Sequence, residues 1–286
     1  MKITTINTGF FKLDGGAMFG VVPRQMWEKL NPPDEKNLCT WAMRCLLVEI
    51  GDRKILIDAG IGDKQDARFR SHFEPHGADS LLQSLDNQSI KPEDITDVFL
   101  THLHFDHCGG ILSRDTDLSS GTHEGVLQPV FPNATHWSNA RHWDWATHPN
   151  PREQASFLKE NFEPLMALGK VKFVEHREGF ELFPNFFIHF AYGHTEAMMM
   201  VRLVTDEGKT YFYPADLLPS SWHVNMPYIM AYDIRPLESL KEKAAILERA
   251  VDENWHLIFE HDPTTACATV KRNDAGRIVI DQKIDV

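Results

Sequence analysis

The sequence predicts a layered α/β domain with metal-type side chains gathered at one sheet edge. Three observations carry this reading. Short apolar runs recur between polar turns, amphipathic helical segments lie between and after them, and several His and Asp residues fall directly past the end of an apolar run. Sheets with helices outside them make a layered domain, because each sheet face buries its apolar side against another element.

Taken in order, residues 11–38 hold Gly15-Gly16, Pro23 and Pro32-Pro33 and read as a long surface loop, expected to cover an active site. Residues 44–50 and 54–57 flank Gly51-Asp52-Arg53 as a hairpin. A short helix is expected over 78–85. Residues 95–101 are apolar and β-branched and end at a His cluster. Residues 139–147 and 153–168 read as helices. Residues 186–192, 198–204, 210–213, 257–260 and 277–280 read as strands. Leu237, Leu240, Ala244, Leu247 and Val251 recur at helical spacing, with Pro236 fit for the first turn. No repeat or long linker interrupts the 286 residues, which are read as a single domain.

Composition narrows the function. The net charge of −12 lacks the basic face that a phosphate backbone requires, so no nucleic-acid partner is expected. It also disfavours an anionic membrane surface. No window approaches the ~18 apolar residues of a membrane span, and residues 1–10 do not form a signal peptide. Cys39, Cys45, Cys108 and Cys267 form no CxxC pair and no disulfide framework. Free thiols in a reducing, cytoplasmic setting are expected, in a monomer or homodimer.

The chemistry concentrates in Thr101-His102-Leu103-His104-Phe105-Asp106-His107-Cys108-Gly109-Gly110, an HxHxDH motif at the end of an apolar run. Alternate residues of an extended segment share a face, so His102 and His104 can grip one cation together. Asp106 and His107 lie where the chain turns away and can face a second cation. Gly109 and Gly110 are expected to permit that turn. Further ligands are needed to complete two shells. His194, Asp216 and His261 supply them, each just beyond an expected strand.

The order HxHxDH, His, Asp, His resembles the metallo-β-lactamase superfamily. Residues 101–110, together with 14–20 (DGGAMFG), 56–60 (LIDAG) and 231–233 (AYD), resemble its lactonase and organophosphate-hydrolase branch, over roughly residues 11–261. The resemblance implies a four-layer αβ/βα sandwich. It implies that His102, His104 and His194 hold one metal, that Asp106, His107 and His261 hold a second, and that Asp216 bridges both. Asp58 would orient a ligand without binding metal. Five imidazoles and two carboxylates suit zinc, with Fe, Mn or Co also compatible. Two cations ~3.5–4 Å apart can share a hydroxide that attacks a carbonyl or phosphoryl centre. Asp106 is the expected catalytic proton carrier.

The expected activity is hydrolysis of a small-molecule ester, foremost a lactone. Arylesterase or phosphotriesterase activity is the alternative, and a mononuclear-iron persulfide dioxygenase a weaker one. Homoserine lactonases of this branch carry a tyrosine three residues after the bridging Asp, where this chain has Pro219. His223, Tyr228 and Tyr232 are candidate replacements. Trp137, Trp143, Trp145 and Phe19 are weighed as pocket wall against packing, and Met18 and Phe19 as substrate contacts. His142 and His148 receive no role.

Overall fold

The computed structural model describes residues 1–114 and 126–286. The first half contributes strands β1 (Lys2–Asp14), β2 (Leu38–Ile50), β3 (Arg53–Ile57), β4 (Asp97–Phe99), β5 (Leu112–Arg114), β6 (Leu127–Pro129), β7 (Thr135–Ser138) and β8 (Val171–Phe173). Its helices are α1 (Gly15–Phe19), α2 (Arg24–Trp27), α3 (Ala67–Phe73), α4 (Leu81–Asn87), α5 (Phe105–Cys108), α6 (Ala140–Thr147) and α7 (Glu163–Ala167). The second half adds β9 (Phe180–Phe183), β10 (Phe186–Ala191), β11 (Met198–Val204), β12 (Thr210–Tyr213), β13 (His256–Ile258), β14 (Cys267–Arg272) and β15 (Ile278–Ile284). The long helix α8 (Pro236–Asp252) precedes β13.

Two mixed sheets result, ordered β1-β2-β3-β4-β7-β8 and β15-β14-β13-β12-β11-β10-β9. The period-two geometry of strands explains their stacking. In β2 and β3, Leu46, Val48, Ile55 and Ile57 face Ile188, Val201 and Leu203 of the second sheet in one shared core. The alternate residues Cys45, Leu47 and Leu56 face the other way, onto Leu81 and Leu85 of α4, Trp143 and Ala146 of α6, and Leu165 of α7. Ile246, Leu247 and Ala250 of α8 join the core from the far side of the second sheet. The order is therefore helix, sheet, sheet, helix, the four-layer sandwich that the resemblance implies.

Several expectations change. Residues 11–38 are not a bare loop: the first four finish β1, α1 and α2 follow, and Met18, Phe19 and Trp27 are buried. Residues 153–168 do not form one helix. Pro164 belongs to the first turn of the short α7, and the side chains of Glu153 and Phe157 are held among the site residues. In α8 the buried stripe is Ser239, Lys243, Ile246, Leu247 and Ala250, while Leu237 is 75% exposed. Lys243 takes a buried position by donating from Nζ to the carbonyls of His223, Asn225 and Tyr228 at 2.9–3.0 Å. Its ammonium group substitutes for packing by satisfying three carbonyls.

Candidate metal centre

The site forms where strands from both sheets end on the same side. His102 follows β4, His194 follows β10, Asp216 follows β12 and His261 follows β13. Backbone bonds lock the two sheets there: Met199 N–H donates to Thr101 O at 2.8 Å, and Ala42 N–H donates to His261 O at 3.1 Å. Asp106 and His107 sit in the single turn of α5, which begins right after His104. Gly109 and Gly110 are required for room rather than for backbone conformation. Neither has a positive φ, and a Cβ at either would run into the carbonyl oxygen of Ile61 or Ala59.

Three groups of converging ligand atoms result, of which the third, Asp58, His107 and Glu260, shares His107 with the second. The first is His102, His104, His194 and Asp216; the second is Asp106, His107 and His261. In the first, His104 Nδ1 lies 3.0 Å from His102 Nε2 and 3.2 Å from His194 Nε2. In the second, His107 Nε2 and His261 Nε2 are 3.3 Å apart, and each is 3.7 Å from Asp106 Oδ2. Asp216 reaches both, with Oδ2 3.0 Å from His194 Nε2 and Oδ1 3.1 Å from His261 Nε2. Ala215, immediately before it, has φ +46°, a strained conformation for a residue with a side chain.

These residues fit divalent metal. A proton on His104 Nδ1 can bridge to one neighbouring imidazole but not to two, so the lone pairs of the first group cannot all be satisfied by one another. All seven residues are buried, where an unpaired polar atom is costly. Cations placed between them satisfy the whole set.

The outward nitrogens are fixed as metal sites require. His194 Nδ1 bonds Asp233 Oδ1 at 2.9 Å, and His261 Nδ1 bonds Ala42 O at 2.7 Å. Asp58 Oδ2 accepts from Thr101 Oγ1 at 2.7 Å and lies 3.1 Å from His107 Nδ1. Asp58 Oδ1 accepts from Thr101 N–H at 2.8 Å. It therefore touches the ligand shell outside the first two groups, and it belongs to the third. Glu260 Oε1 also lies 3.1 Å from His107 Nδ1. Burial, with Asp58 nearby, pushes Glu260 up to about 7 against the pull of His107. Glu153 stands 3.9 Å from His104 Nε2, and its oxygens take bonds from Thr195 Oγ1, Trp145 Nε1 and Asn150 Nδ2.

Electrostatics divide the imidazoles. Burial and neighbouring imidazoles hold His102 well below the usual His range. Burial also works against charge on His194 and His261, but Asp216 overcomes it and raises them to about 10 and about 9. The imidazoles hold Asp216 well below the carboxylate range, despite its burial. Protons and metal compete for the same nitrogens, so the carboxylate field that favours imidazolium favours a bound cation too.

A cavity of about 470 Å³ opens over the site. Its reactive floor carries His104, Asp106, His194, Asp216 and His261, and its apolar wall carries Leu13, Met18, Phe73, Phe105 and Met230. Trp137, Trp143, Trp145 and Phe19 do not line it. Trp143 packs on Phe162 and Trp137 on Phe183, while Phe19 stacks on Trp27 and His223. Met18 does reach the cavity. Of the candidate replacements for the missing tyrosine, His223 is spent on Ser220 and on Met18 O, and Tyr228 packs edge-on to Phe19. Only Tyr232 of the three lines the cavity. Cys108 is a buried thiol pushed up to about 12 by desolvation, so it is a neutral filler beside the site. Glu153, Asp233 and Glu260 went unassigned in the sequence, because each is a lone carboxylate distant in the chain from the residue it serves.

Residues 44–113 match the metallo-beta-lactamase superfamily. A 37-residue stretch is 54% identical to Metallo-beta-lactamase domain-containing protein 1 of Xenopus laevis, covering 13% of this chain and only 16% of that protein. Among solved structures, a probable metal-dependent hydrolase from Staphylococcus aureus is 28% identical, with a TM-score of 0.86 over 100% of this chain and 96% of that one. AidC, a dizinc quorum-quenching lactonase solved with the product N-hexanoyl-L-homoserine, has a TM-score of 0.77 at 18% identity, over 100% and 97% of the two chains. The hydrolase AbOPH has a TM-score of 0.76 at 21% identity, over 99% and 94%. Residues 44–113 thus carry the metallo-beta-lactamase match, and over its whole length the chain is similar in fold to that probable metal-dependent hydrolase.

Proposed function

We propose that this chain hydrolyses the ester bond of a small molecule, foremost a lactone, at a two-metal centre. In this reading His102, His104 and His194 hold one ion, Asp106, His107 and His261 hold the other, and Asp216 spans them. The observation that carries it is the reach of Asp216 to both groups beneath an apolar-walled cavity. Bound divalent metal supplies Lewis acidity and hydroxide at neutral pH. Zinc suits the donor set, and the dizinc character of AidC supports that choice. The four free, buried cysteines are consistent with a reducing cytoplasmic setting. Among the described residues no helix is long and apolar enough to cross a membrane.

The chain's own residues supply the rest. Leu13, Met18 and Met230 hold an apolar acyl arm and exclude water from the reacting carbonyl. Asp106 faces the cavity and would take the proton released by the attacking water and pass it to the leaving alkoxide. Desolvation, with the charges of Asp14, Asp106 and Asp216, raises Tyr232 above its ordinary range, so its hydroxyl stays a donor for the developing oxyanion. Replacing Tyr232 with Phe is expected to lower kcat by about 10²-fold with KM little changed, the signature of a lost oxyanion donor. Steady-state kinetics test this, and an unaltered kcat would remove Tyr232 from the mechanism.

Phe73 and Phe105 stand 4.4 Å apart, centroid to centroid, on the same wall. They favour aryl esters or aryl phosphotriesters as the second reading. The presence of a second ligand group argues for hydrolysis over one-iron dioxygenase chemistry. Initial rates on an acyl homoserine lactone, an aryl ester and a phosphotriester decide among these readings, with His104→Ala as control. A lactone rate that dominates and that His104→Ala abolishes is the expected result. Turnover that survives His104→Ala would end the metal reading.

A further inference from the structure

His142 belongs to none of the ligand groups and does not line the cavity, yet it is fully buried against the site. Its ring joins the two loops that carry the first group. Nε2 accepts a hydrogen bond from Leu103 N–H at 2.9 Å, the peptide between His102 and His104. Nδ1 bonds Glu196 O at 2.6 Å, two residues beyond His194. The acceptor on one edge and the donor on the other fix a single neutral tautomer, protonated at Nδ1.

The first turn of α6 completes the clamp. Asn139 Oδ1 caps the helix by accepting from His142 N–H at 2.9 Å, while Asn139 Nδ2 donates to Ala197 O at 2.9 Å. Ala197 has φ +52°, so the backbone just past Glu196 is held in a strained form. On the other side of this loop, Ile234 N–H donates to His194 O and Arg235 N–H to Gly193 O, at 3.2 and 2.9 Å. Phe157 lies against both His104 and His142, with centroids 4.8 and 5.9 Å away.

We propose that His142 is a positioning residue that sets the spacing between the His102/His104 loop and the His194 loop, and so governs the affinity of the first metal group selectively. A rigid ring with opposed donor and acceptor transmits spacing directly. The second group lies outside its reach, because His107 is held by Asp58 and Glu260 and His261 by Ala42. The inference rests on the two-metal reading above.

The test is cobalt(II) titration of chelator-stripped protein, followed by competition with a chelator and by the visible cobalt spectrum, without reference to turnover. His142→Ala is expected to weaken one ion by about 10–100-fold, the usual effect of losing an outer partner of a metal ligand, and to leave the other within a few-fold. His142→Gln retains a donor and an acceptor and is expected to recover much of that loss. His148→Ala, exposed six residues further on at the C-cap of α6, is expected to change neither affinity. Wild-type affinity for both ions in His142→Ala would overturn the proposal. So would equal loss of both ions alongside a large fall in the melting temperature of the stripped protein, which marks a purely structural role. Wild-type protein that binds no cobalt would overturn the two-metal reading itself, a result distinguishable from either.

Discussion

Asp216→Asn is expected to release metal from both groups and to lower the hydrolysis rate by about 10³-fold or more. The carboxylate touches both halves of the centre, with one oxygen 3.0 Å from His194 Nε2 and the other 3.1 Å from His261 Nε2. An amide keeps the shape but removes the charge and one acceptor. Two cations in a buried site depend on that charge. Losing their transition-state stabilisation removes several kcal/mol, and each ~1.4 kcal/mol is tenfold in rate. Asp106→Asn is the informative contrast. Asp106 approaches His107 and His261 at 3.7 Å and belongs to the second group alone, so that variant is expected to retain one ion. Metal content by atomic emission, with circular dichroism as a check on folding, reads both. Loss of one ion in Asp216→Asn together with loss of both in Asp106→Asn would reverse the assigned roles.

The parts of the site legible in the sequence were those that share a short segment or a strand end. HxHxDH announces itself because alternation and the following turn put four metal-type side chains together. His194, Asp216 and His261 were legible by a shared rule, an apolar run ending in a metal-type residue, and the sheets do bring those ends together. The residues that orient the ligands were mostly not legible. Glu153, Asp233 and Glu260 act across 49, 39 and 153 residues of chain, on His104, His194 and His107, and only the fold brings them close. His142 is the sharpest case: spacing along α6 gave it no partner, because its partners are backbone groups of two other loops.

The fold shows the same division. Inner strands with strong apolar alternation were legible. β1 was not, because Lys2–Asp14 is an edge strand with Thr and Asn among its residues, and its register shifts between Asn7 and Phe10. The stripe of α8 was misplaced because Lys243 and Ser239 occupy buried positions that a periodicity of apolar residues assigns outward. Hydrogen bonds from Lys243 to three carbonyls satisfy its charge, and such satisfaction leaves no trace in local sequence.

Chelator-stripped protein is expected to lose stability as pH rises from about 7 to about 10, while metal-loaded protein stays nearly level. His194 and His261 are raised to about 10 and about 9, above the ordinary 6.5 of imidazole. A group that binds its proton more tightly when folded contributes fully below its unfolded value, and the contribution disappears as pH climbs through its folded value. Here that window runs from about 6.5 to about 10 and spans several pH units, enough for a loss of a few kcal/mol. Asp216 acts in the opposite direction. Held well below 3.8, it contributes above that value and loses its contribution as pH falls. His102 and His104, both lowered mainly by burial, also penalise acid, since unfolding lets them take protons below about 6.5. The stripped protein is therefore most stable near the ordinary imidazole value and weakens on either side. Bound metal replaces the protons on His194 and His261, so the alkaline loss vanishes, and metal affinity rises over the same window as protons cease to compete. Urea midpoints at pH 7 and 9.5, with and without metal, read the difference. A stripped protein that grew more stable towards pH 9.5 would mean that Asp216 does not hold imidazolium at His194 and His261, and the field argued to attract the cations would be absent.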